Sequence, residues 1–413
     1  MDFRTDPDAP LPPAPDPWAG SDIPSRRDGP PFHMTEMIEA EPAMAARILE
    51  RLAAAHGGAA ELADEIRATA LRGAPTVVTG CGTSEHGALA VVEVLREAMR
   101  TAGLPWRLGE PGGPVAVQAL EGALDDGLAV DGAVVIGVSH EGGTWATNLA
   151  LERSQAAGAR TALLTCSDHS PGAALVDIVV ATQEQDQSWC HTVGYVSPIL
   201  AAAAVGAHLS AETVDPGAAR ALLAASLTGE AIAATERLAQ ALANVDRLIV
   251  VGSGTDRPAA RELVLKVEEG AHLGSAMRDL ETVLHGHLAG MDARTGLVLI
   301  LTDPSRADER LARATGVLRA AAEIGTTTGA ILAAAYAEQV PADLTPAGRL
   351  VVPDATRAPG LQGSALPGAV ASLLGTAVPL QLLTERLARA RNINPDPIRR
   401  DDPVYLRAAE AAG

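Results

Sequence analysis

Hydrophobic positions along the chain first recur at helical spacing and then fall into short runs separated by longer helical segments. The helical spacing begins near residue 43 and is broken at Gly57 and Gly58, which predicts two helices at the start of the fold. Each later run is rich in β-branched and aliphatic residues, ends in a Gly- or Ser-containing loop and leads into an Ala- and Leu-rich segment. This alternation predicts parallel sheets covered by helices.

The predicted strands form two series that repeat the same order of elements. The first series comprises residues 76–79, 133–138, 161–165 and 178–181, and the second comprises 248–251, 297–301, 329–332 and 350–352. A long helical stretch over 216–243 leads into the second series, and a closing helix is predicted near 369–390. A glycine-rich turn opens each series, at 80–84 and at 252–255. We therefore predict two similar α/β halves.

These patterns divide the chain into four segments. Residues 1–33 are rich in Pro, Asp and Gly and hold too little apolar surface to offset the entropy of ordering, so we predict a flexible arm. The first half then spans 34–240 with its helical lead-in, the second spans 241–391, and a polar tail covers 392–413.

Composition and charge narrow the classes of function. Of the 413 residues, 47% are hydrophobic and only 2% aromatic, so a sizeable core must be built from Ala, Val and Leu. A net charge of −19 opposes nucleic acid or an anionic membrane surface as a main partner, since both attract clustered Lys and Arg. The three cysteines show no spacing typical of a disulfide framework or a zinc site, and the most apolar stretch, 199–209, is too short to span a bilayer. We expect a soluble, cytoplasmic protein without a metal site.

Two loops are candidates for binding an anion, because ligands of open parallel sheets lie where strands end and helices begin. In the turn 80–84, the backbone N–H groups near Gly82 and the hydroxyls of Thr83 and Ser84 are predicted either to hold an oxyanion or simply to cap a helix. The loop 139–144 follows the next clear strand and would lie beside it. Its Glu141 would repel a phosphate, so this residue faces away, binds sugar hydroxyls, or marks a different substrate.

Charged residues on the helix after the second glycine turn are candidates for acid–base chemistry. Glu262, Lys266 and Glu269 are spaced i, i+4 and i+7 and therefore share one helix face. They form either an ordinary solvated surface or a site in which one carboxylate is a base and the lysine balances its charge. His285 and His287 follow in a loop, where a histidine could shuttle a proton, cap a turn or bind a metal. The sequence argues against a metal, because no third ligand follows at a suitable spacing.

Together these motifs resemble the isomerase half of glucosamine-6-phosphate synthase, a member of the tandem sugar isomerase (SIS) family, over most of the chain from Met34. The sequence Glu262-x-x-x-Lys266-x-x-Glu269 followed by His285-Gly286 aligns with the family motif without a gap, and 80–84 matches its Gly-Cys-Gly-Thr-Ser turn. The segment 378–383 matches the closing helix. The resemblance implies two doubly wound, flavodoxin-like α/β domains.

The resemblance also implies roles for individual residues. Glu269 would be the base for proton transfer between C1 and C2, His285 would open the sugar ring, and Lys266 and Glu262 would support them. The residues implied or expected to bind the substrate are Gly82, Thr83, Ser84, Ser139, His140, Glu141, Thr144 and His191. A homodimer is implied, with His285 entering the partner's site, and no cofactor.

Departures from the family pattern lie around the ligand. No glutaminase domain precedes the SIS region, so use of glutamine is not implied, and the tail 394–403 lacks the family's Schiff-base lysine. In the loop 139–144, His140, Glu141 and Gly143 replace family residues, and Cys190-His191-Thr192 stands where the family reads Ser-Thr-Lys.

We predict an aldose–ketose isomerase of an anionic hexose or 2-amino-hexose. An amino-sugar-phosphate deaminase or deglycase, an isomerase of a 6-sulfonated or uncharged sugar, and a sugar-phosphate sensor remain alternatives.

Overall fold

Two five-stranded parallel sheets form the framework of the protein in a computed structural model that describes residues 6–107, 109–125, 131–354 and 366–412. The first sheet contains β1 (Thr76–Gly80), β2 (Pro114–Gln118), β3 (Val134–Val138), β4 (Arg160–Thr165) and β5 (Ile178–Ala181). The second contains β6 (Arg247–Val251), β7 (Ser275–Arg278), β8 (Thr295–Leu301), β9 (Thr327–Ala333) and β10 (Gly348–Val352). The strand orders are β2-β1-β3-β4-β5 and β7-β6-β8-β9-β10, so both sheets have the same topology. The predicted pair of similar α/β halves is confirmed.

Helices precede, connect and close these sheets. The first half has α1 (His33–Leu52), α2 (Gly58–Arg72), α3 (Thr83–Thr101), α4 (Ala119–Leu124), α5 (Trp145–Ala156) and α6 (Val193–Ser210). The helices α7 (Pro216–Ala225) and α8 (Gly229–Leu242) connect the two sheets. The second half has α9 (Asp256–Ala271), α10 (Ala307–Ile324), α11 (Ala334–Ala337) and α12 (Gly368–Ala390), and α13 (Pro403–Ala412) lies in the tail.

The structure differs from the expected pattern in two edge strands, in one long helix and in the tail. The edge strands β2 and β7 lack a buried apolar run, because each is only partly covered, and no strand was predicted there. The long helix expected over 216–243 is two helices, since Thr228 caps the second by accepting a hydrogen bond from the Ala231 amide at 3.3 Å. The tail includes α13, none of whose residues is buried.

One apolar core joins the two halves. It contains residues of both sheets, such as Ile136 and Val298, and of the helices α3, α6, α9 and α12 between them. Helix α6 is apolar and long enough to span a membrane, but 83% of it is buried inside the protein, as in a core helix. This shared core places α9 of the second half beside the carboxyl ends of β1 and β3.

We predicted a flexible arm over residues 1–33, of which 1–5 lie outside the described residues and residue 33 begins α1. Residues 6–32 have neither helix nor strand but lie against the first half. The buried Leu11 donates its amide to Glu184 Oε2 at 3.2 Å. The Gln185 amide donates to the Pro12 carbonyl at 3.0 Å. Backbone hydrogen bonds therefore attach the arm to the first half. Its apolar content is too small for the sequence to predict this packing.

Candidate active site

A cavity of about 500 Å³ opens where β1 and β3 end, beside α9. The predicted site residues that line it are Gly82, Thr83, Ser84, His140, Glu141, Thr144, His191 and Glu269. Ser139, Glu262, Lys266 and His285 do not line it. The two loops and the acid–base helix thus meet at one place.

The turn after β1 brings Gly82, Thr83 and Ser84 to the cavity at the N-terminus of α3. Gly82 has φ +57°, a conformation that favours glycine, and α3 begins at the next residue. A Cβ on Gly80 would lie 2.4 Å from the Ser84 carbonyl oxygen, so this tight turn requires glycine. The Thr83 hydroxyl donates to Glu262 Oε1 at 3.3 Å and therefore links the turn to α9.

The Glu-Lys-Glu set is a buried cluster and not a solvated helix surface. The side chains of Glu262 and Lys266 are 0% exposed, whereas that of Glu269 is 23% exposed. Lys266 Nζ lies 3.7 Å from Glu262 Oε1 and donates a short hydrogen bond to Glu269 Oε2. His86 Nδ1 lies 2.7 Å from the other oxygen of Glu262. Only Glu269 reaches the cavity, and Glu262 lies behind it.

Opposite charges counteract the effect of burial on the pKa values of Lys266 and Glu262. Burial alone would lower the pKa of Lys266, but the carboxylates of Glu269 and Glu262 outweigh it and raise that pKa. Burial would likewise raise the pKa of Glu262, but Lys266 and His86 hold it below its usual value. His86 was not predicted from the sequence, although it lies one helical turn after the glycine motif. The arrangement presents a carboxylate to the cavity with a fixed cation behind it.

The loop after β3 is held by its own residues. The buried Ser139 accepts a hydrogen bond from the Gly142 amide at 3.2 Å and donates one to the Thr144 hydroxyl at 3.3 Å. Thr144 precedes α5 as its N-cap residue. Ser139, expected to hold the anion, instead fixes the loop shape, while Thr144 lines the cavity.

Glu141 is bound by the N-terminal arm, whose residues Trp18, Gly20 and Ser21 also line the cavity. The Ser21 hydroxyl donates a short hydrogen bond to Glu141 Oε1, and the Ser21 amide donates to Oε2 at 3.2 Å. Trp18 Nε1 donates to the Glu141 carbonyl at 2.9 Å. Sequence reasoning missed this contribution, because nothing in the pattern of the arm indicates where it docks.

Two histidines and a buried aspartate form a second ionisable group at the cavity. Asp186 Oδ2 accepts hydrogen bonds from the amides of Thr192 at 2.7 Å and Gly194 at 3.2 Å, and lies 3.6 Å from His191 Nδ1. Burial lowers the pKa of His191, but the Asp186 carboxylate outweighs this and raises it. His140 Nε2 accepts the Asp186 amide at 2.9 Å, and burial and His191 lower the pKa of His140 to about 4. His191 is thus the imidazole favoured to carry a proton.

A cation from the C-terminal tail completes the cavity wall. The Arg400 guanidinium lies 4.3 Å from the centre of the Trp189 ring, and both side chains line the cavity. Among the described lining residues, Arg400 is the sole lysine or arginine. A tail that lacks lysine therefore still supplies a positive charge.

His285 lies apart from this cavity. Its side chain is 68% exposed, and its Nε2 lies 2.6 Å from Glu281 Oε1. Within the described residues, no three His, Cys, Asp or Glu side chains are grouped as a metal site would require.

The glycine turn of the second half is filled by a side chain of the protein itself. Asp303 Oδ2 accepts the Thr255 amide at 2.9 Å and lies 3.1 Å from Arg310. A Cβ on Gly254 would lie 2.1 Å from the same oxygen. In the second half, the Asp303 carboxylate therefore occupies the place that corresponds to the cavity in front of the first glycine turn.

Solved structures with this architecture cover nearly the whole chain. The C-terminal domain of glucosamine-fructose-6-phosphate aminotransferase from Francisella tularensis is 19% identical with a TM-score of 0.72, over 90% of this chain and 99% of that one. The chain has the tandem SIS fold.

Two further solved structures share the SIS fold. Tagatose-6-phosphate ketose/aldose isomerase from Escherichia coli is 16% identical with a TM-score of 0.66, over 91% of this chain and 97% of that one. Glucosamine-6-phosphate deaminase from Thermotoga maritima is 16% identical with a TM-score of 0.59, over 88% and 96% respectively. No protein-family model and no curated protein sequence matches the chain. The similarity therefore lies in the fold.

Proposed function

We propose that the protein is a cytoplasmic aldose–ketose isomerase that moves a proton between C1 and C2 of an anionic hexose or 2-amino-hexose and needs no cofactor. The observation that carries this proposal is the Glu269 carboxylate, which reaches the cavity while the buried Lys266 ammonium holds it from behind. A general base must face its substrate, and the hydrogen bond from the neighbouring ammonium fixes the position of this carboxylate.

In the forward direction, Glu269 removes the C2 proton of the open-chain aldose and the C1 carbonyl oxygen takes up a proton, giving an enediol. Glu269 then returns its proton to C1 while the C2 hydroxyl loses one, giving the ketose. The Lys266 ammonium stays beside Glu269 while the charge of that carboxylate changes, and His191 on the same cavity wall is placed to donate a proton to a sugar oxygen. The same enediol chemistry would serve either direction.

The anionic end of the sugar would lie at the two loops. The backbone N–H groups of Gly82 and Thr83 lie at the N-terminus of α3, where the helix dipole favours negative charge, whereas the Ser84 amide donates to the Cys81 carbonyl at 3.0 Å. Thr144 and Arg400 add a hydroxyl and a guanidinium. A ligand held there places its C1–C2 end within the same cavity as Glu269.

His285 is proposed to assist ring opening in the cavity of a second copy of the chain, since in its own chain it is exposed and outside the cavity. We expect a homodimer in solution and specific activity that falls on dilution as the dimer dissociates. Sedimentation velocity and turnover, measured over the same range of concentrations, would test this. A monomer that is fully active at every concentration would exclude the role.

An amino-sugar-phosphate deaminase is the second candidate, because one structure with this fold is a glucosamine-6-phosphate deaminase. It would use the same C1–C2 chemistry and would also release ammonia. A 6-sulfonated sugar is a further candidate substrate, because the Glu141 carboxylate on the cavity wall would repel a phosphate.

Proton NMR in D₂O on a panel of hexose and 2-amino-hexose 6-phosphates and a hexose 6-sulfonate tests the proposal. We expect one sugar to lose its C2 proton signal and to give a ketose, because the abstracted proton exchanges with solvent. An ammonia assay on the same samples separates isomerase from deaminase. If one sugar binds and shifts protein signals without exchange, the chain is a sensor and the catalytic proposal is wrong.

A further inference from the structure

The arm is fixed to the folded unit on both sides of the part that borders the cavity. Before that part, His169 Nε2 lies 2.8 Å from the Pro15 carbonyl oxygen. At its end, Gln185 Nε2 donates to the Ser21 hydroxyl at 2.9 Å, and after it Arg27 pairs with Glu36 at 2.8 Å. Residues 18–21 are therefore held across the loop 139–144.

Gly143 and Trp18 fit each other closely. A Cβ on Gly143 would lie 2.7 Å from Cζ2 of Trp18, and the three atoms nearest to it all belong to the indole ring. Gly143 does not have a positive φ, so its backbone does not require glycine. The lack of a side chain at this position is explained by the approach of Trp18.

Ser21 fixes the direction of the Glu141 side chain. It gives both of its donors, the hydroxyl and the amide, to the two carboxylate oxygens. Its hydroxyl also accepts from Gln185, so the pair is part of a short chain of hydrogen bonds. The arm thereby keeps a negative charge in the wall of a cavity whose described lining contains one arginine and no lysine.

We propose that Trp18 and Ser21 belong to the substrate site and that, by holding Glu141 in the cavity wall, they select a sugar head group with one negative charge over one with two. The proposal rests on the proposed function, because it concerns the end of the same ligand remote from C1. A fixed carboxylate repels a dianion more strongly than a monoanion and still accepts hydrogen bonds from sugar hydroxyls. The indole over Gly143 packs against the loop and excludes water beside that end.

A matched pair of ligands tests this selection. At pH 8 a hexose 6-phosphate is a dianion, since its second pKa is about 6, whereas the corresponding 6-deoxy-6-sulfonate is a monoanion. We expect wild type to bind the sulfonate at least about tenfold more tightly, as measured by calorimetry, corresponding to one like-charge repulsion. Glu141→Gln, which keeps one of the two acceptor oxygens for Ser21 but removes the charge, should reduce that ratio to about one.

Variants of the arm show whether it is responsible. Trp18→Ala and Ser21→Ala should weaken binding of the sulfonate at least about tenfold and reduce the ratio. Ile23→Ala is the matched control, because it removes an exposed apolar side chain from the same arm outside the cavity. Unchanged affinities and an unchanged ratio in both Trp18→Ala and Ser21→Ala, or a wild type that prefers the dianion, would overturn the proposal.

Hydrogen exchange without any sugar separates this proposal from the proposed function. The amides of 139–144 should exchange faster in Trp18→Ala than in wild type or Ile23→Ala, because the arm no longer covers the loop. If wild type binds neither sugar, the proposed function is wrong and the head-group selection falls with it. Equal exchange in all three proteins shows instead that the arm does not hold the loop, whatever the substrate is.

Discussion

Glu269→Gln should lower the rate of C1–C2 proton exchange about 10³-fold and leave the protein folded. Glutamine has the size of glutamate and still accepts the hydrogen bond from Lys266, but it cannot take up a proton from carbon. The effect is expected in kcat, because the removed function acts in the transition state. Deuterium incorporation at C2 of the sugar identified in the D₂O panel would measure it.

The neighbouring residue offers the control for this change. Glu268→Gln makes the same substitution one position earlier, on an exposed side chain that accepts the Ser275 amide at 3.0 Å. Its rate should stay within about twofold of wild type, in line with a surface change. A Glu269→Gln variant that exchanges as fast as Glu268→Gln would remove Glu269 from the mechanism.

Lys266→Met should destabilise the protein by about 3–5 kcal/mol, because it leaves the buried Glu262 carboxylate without its cation. The Glu262 side chain is 0% exposed, and its carboxylate oxygens lie near Lys266, His86 and Thr83. Equilibrium unfolding in urea, followed by circular dichroism, gives the change in the free energy of unfolding.

The double variant Lys266→Met with Glu262→Gln distinguishes an unpaired charge from a general packing defect. Glutamine is neutral and can keep the hydrogen bond from Thr83, so the pair of changes should cost less than the sum of the two single ones. Such a difference is the coupling energy of a double-mutant cycle, about 0.5–3 kcal/mol for residues in contact. Strictly additive losses would mean that the lysine does not stabilise Glu262.

Local spacing grouped three of the candidate residues, and the resemblance to the SIS family implied their roles. Glu262, Lys266 and Glu269 share a face because of the helical period, and a glycine turn after β1 marks the start of α3. Whether that face is buried depends on which helices cover it, and these come from distant parts of the chain. Spacing alone therefore left a solvated surface as an equally simple interpretation, which the 0% exposure of Lys266 excludes.

Other parts of the site had weaker signals or none. Asp186 lies in an irregular segment after β5 and acts through backbone amides brought together by folding. The edge strands β2 and β7 were missed for a related reason, since partial burial removes the apolar run by which a strand is recognised. The composition of the arm indicates that it buries little apolar surface. It does not indicate which hydrogen bonds the arm makes with the rest of the protein.

The glycine turn at Gly254, which Asp303 fills, shows that the two halves contribute differently to the site. The two halves share one topology, yet the glycine turn of the first half opens onto the cavity, whereas the second half contributes the helix that carries Glu269 and fills its own glycine turn with Asp303. This difference makes the two halves complementary and not interchangeable. Each chain should therefore bind a single ligand, and neither half on its own would inherit the complete site.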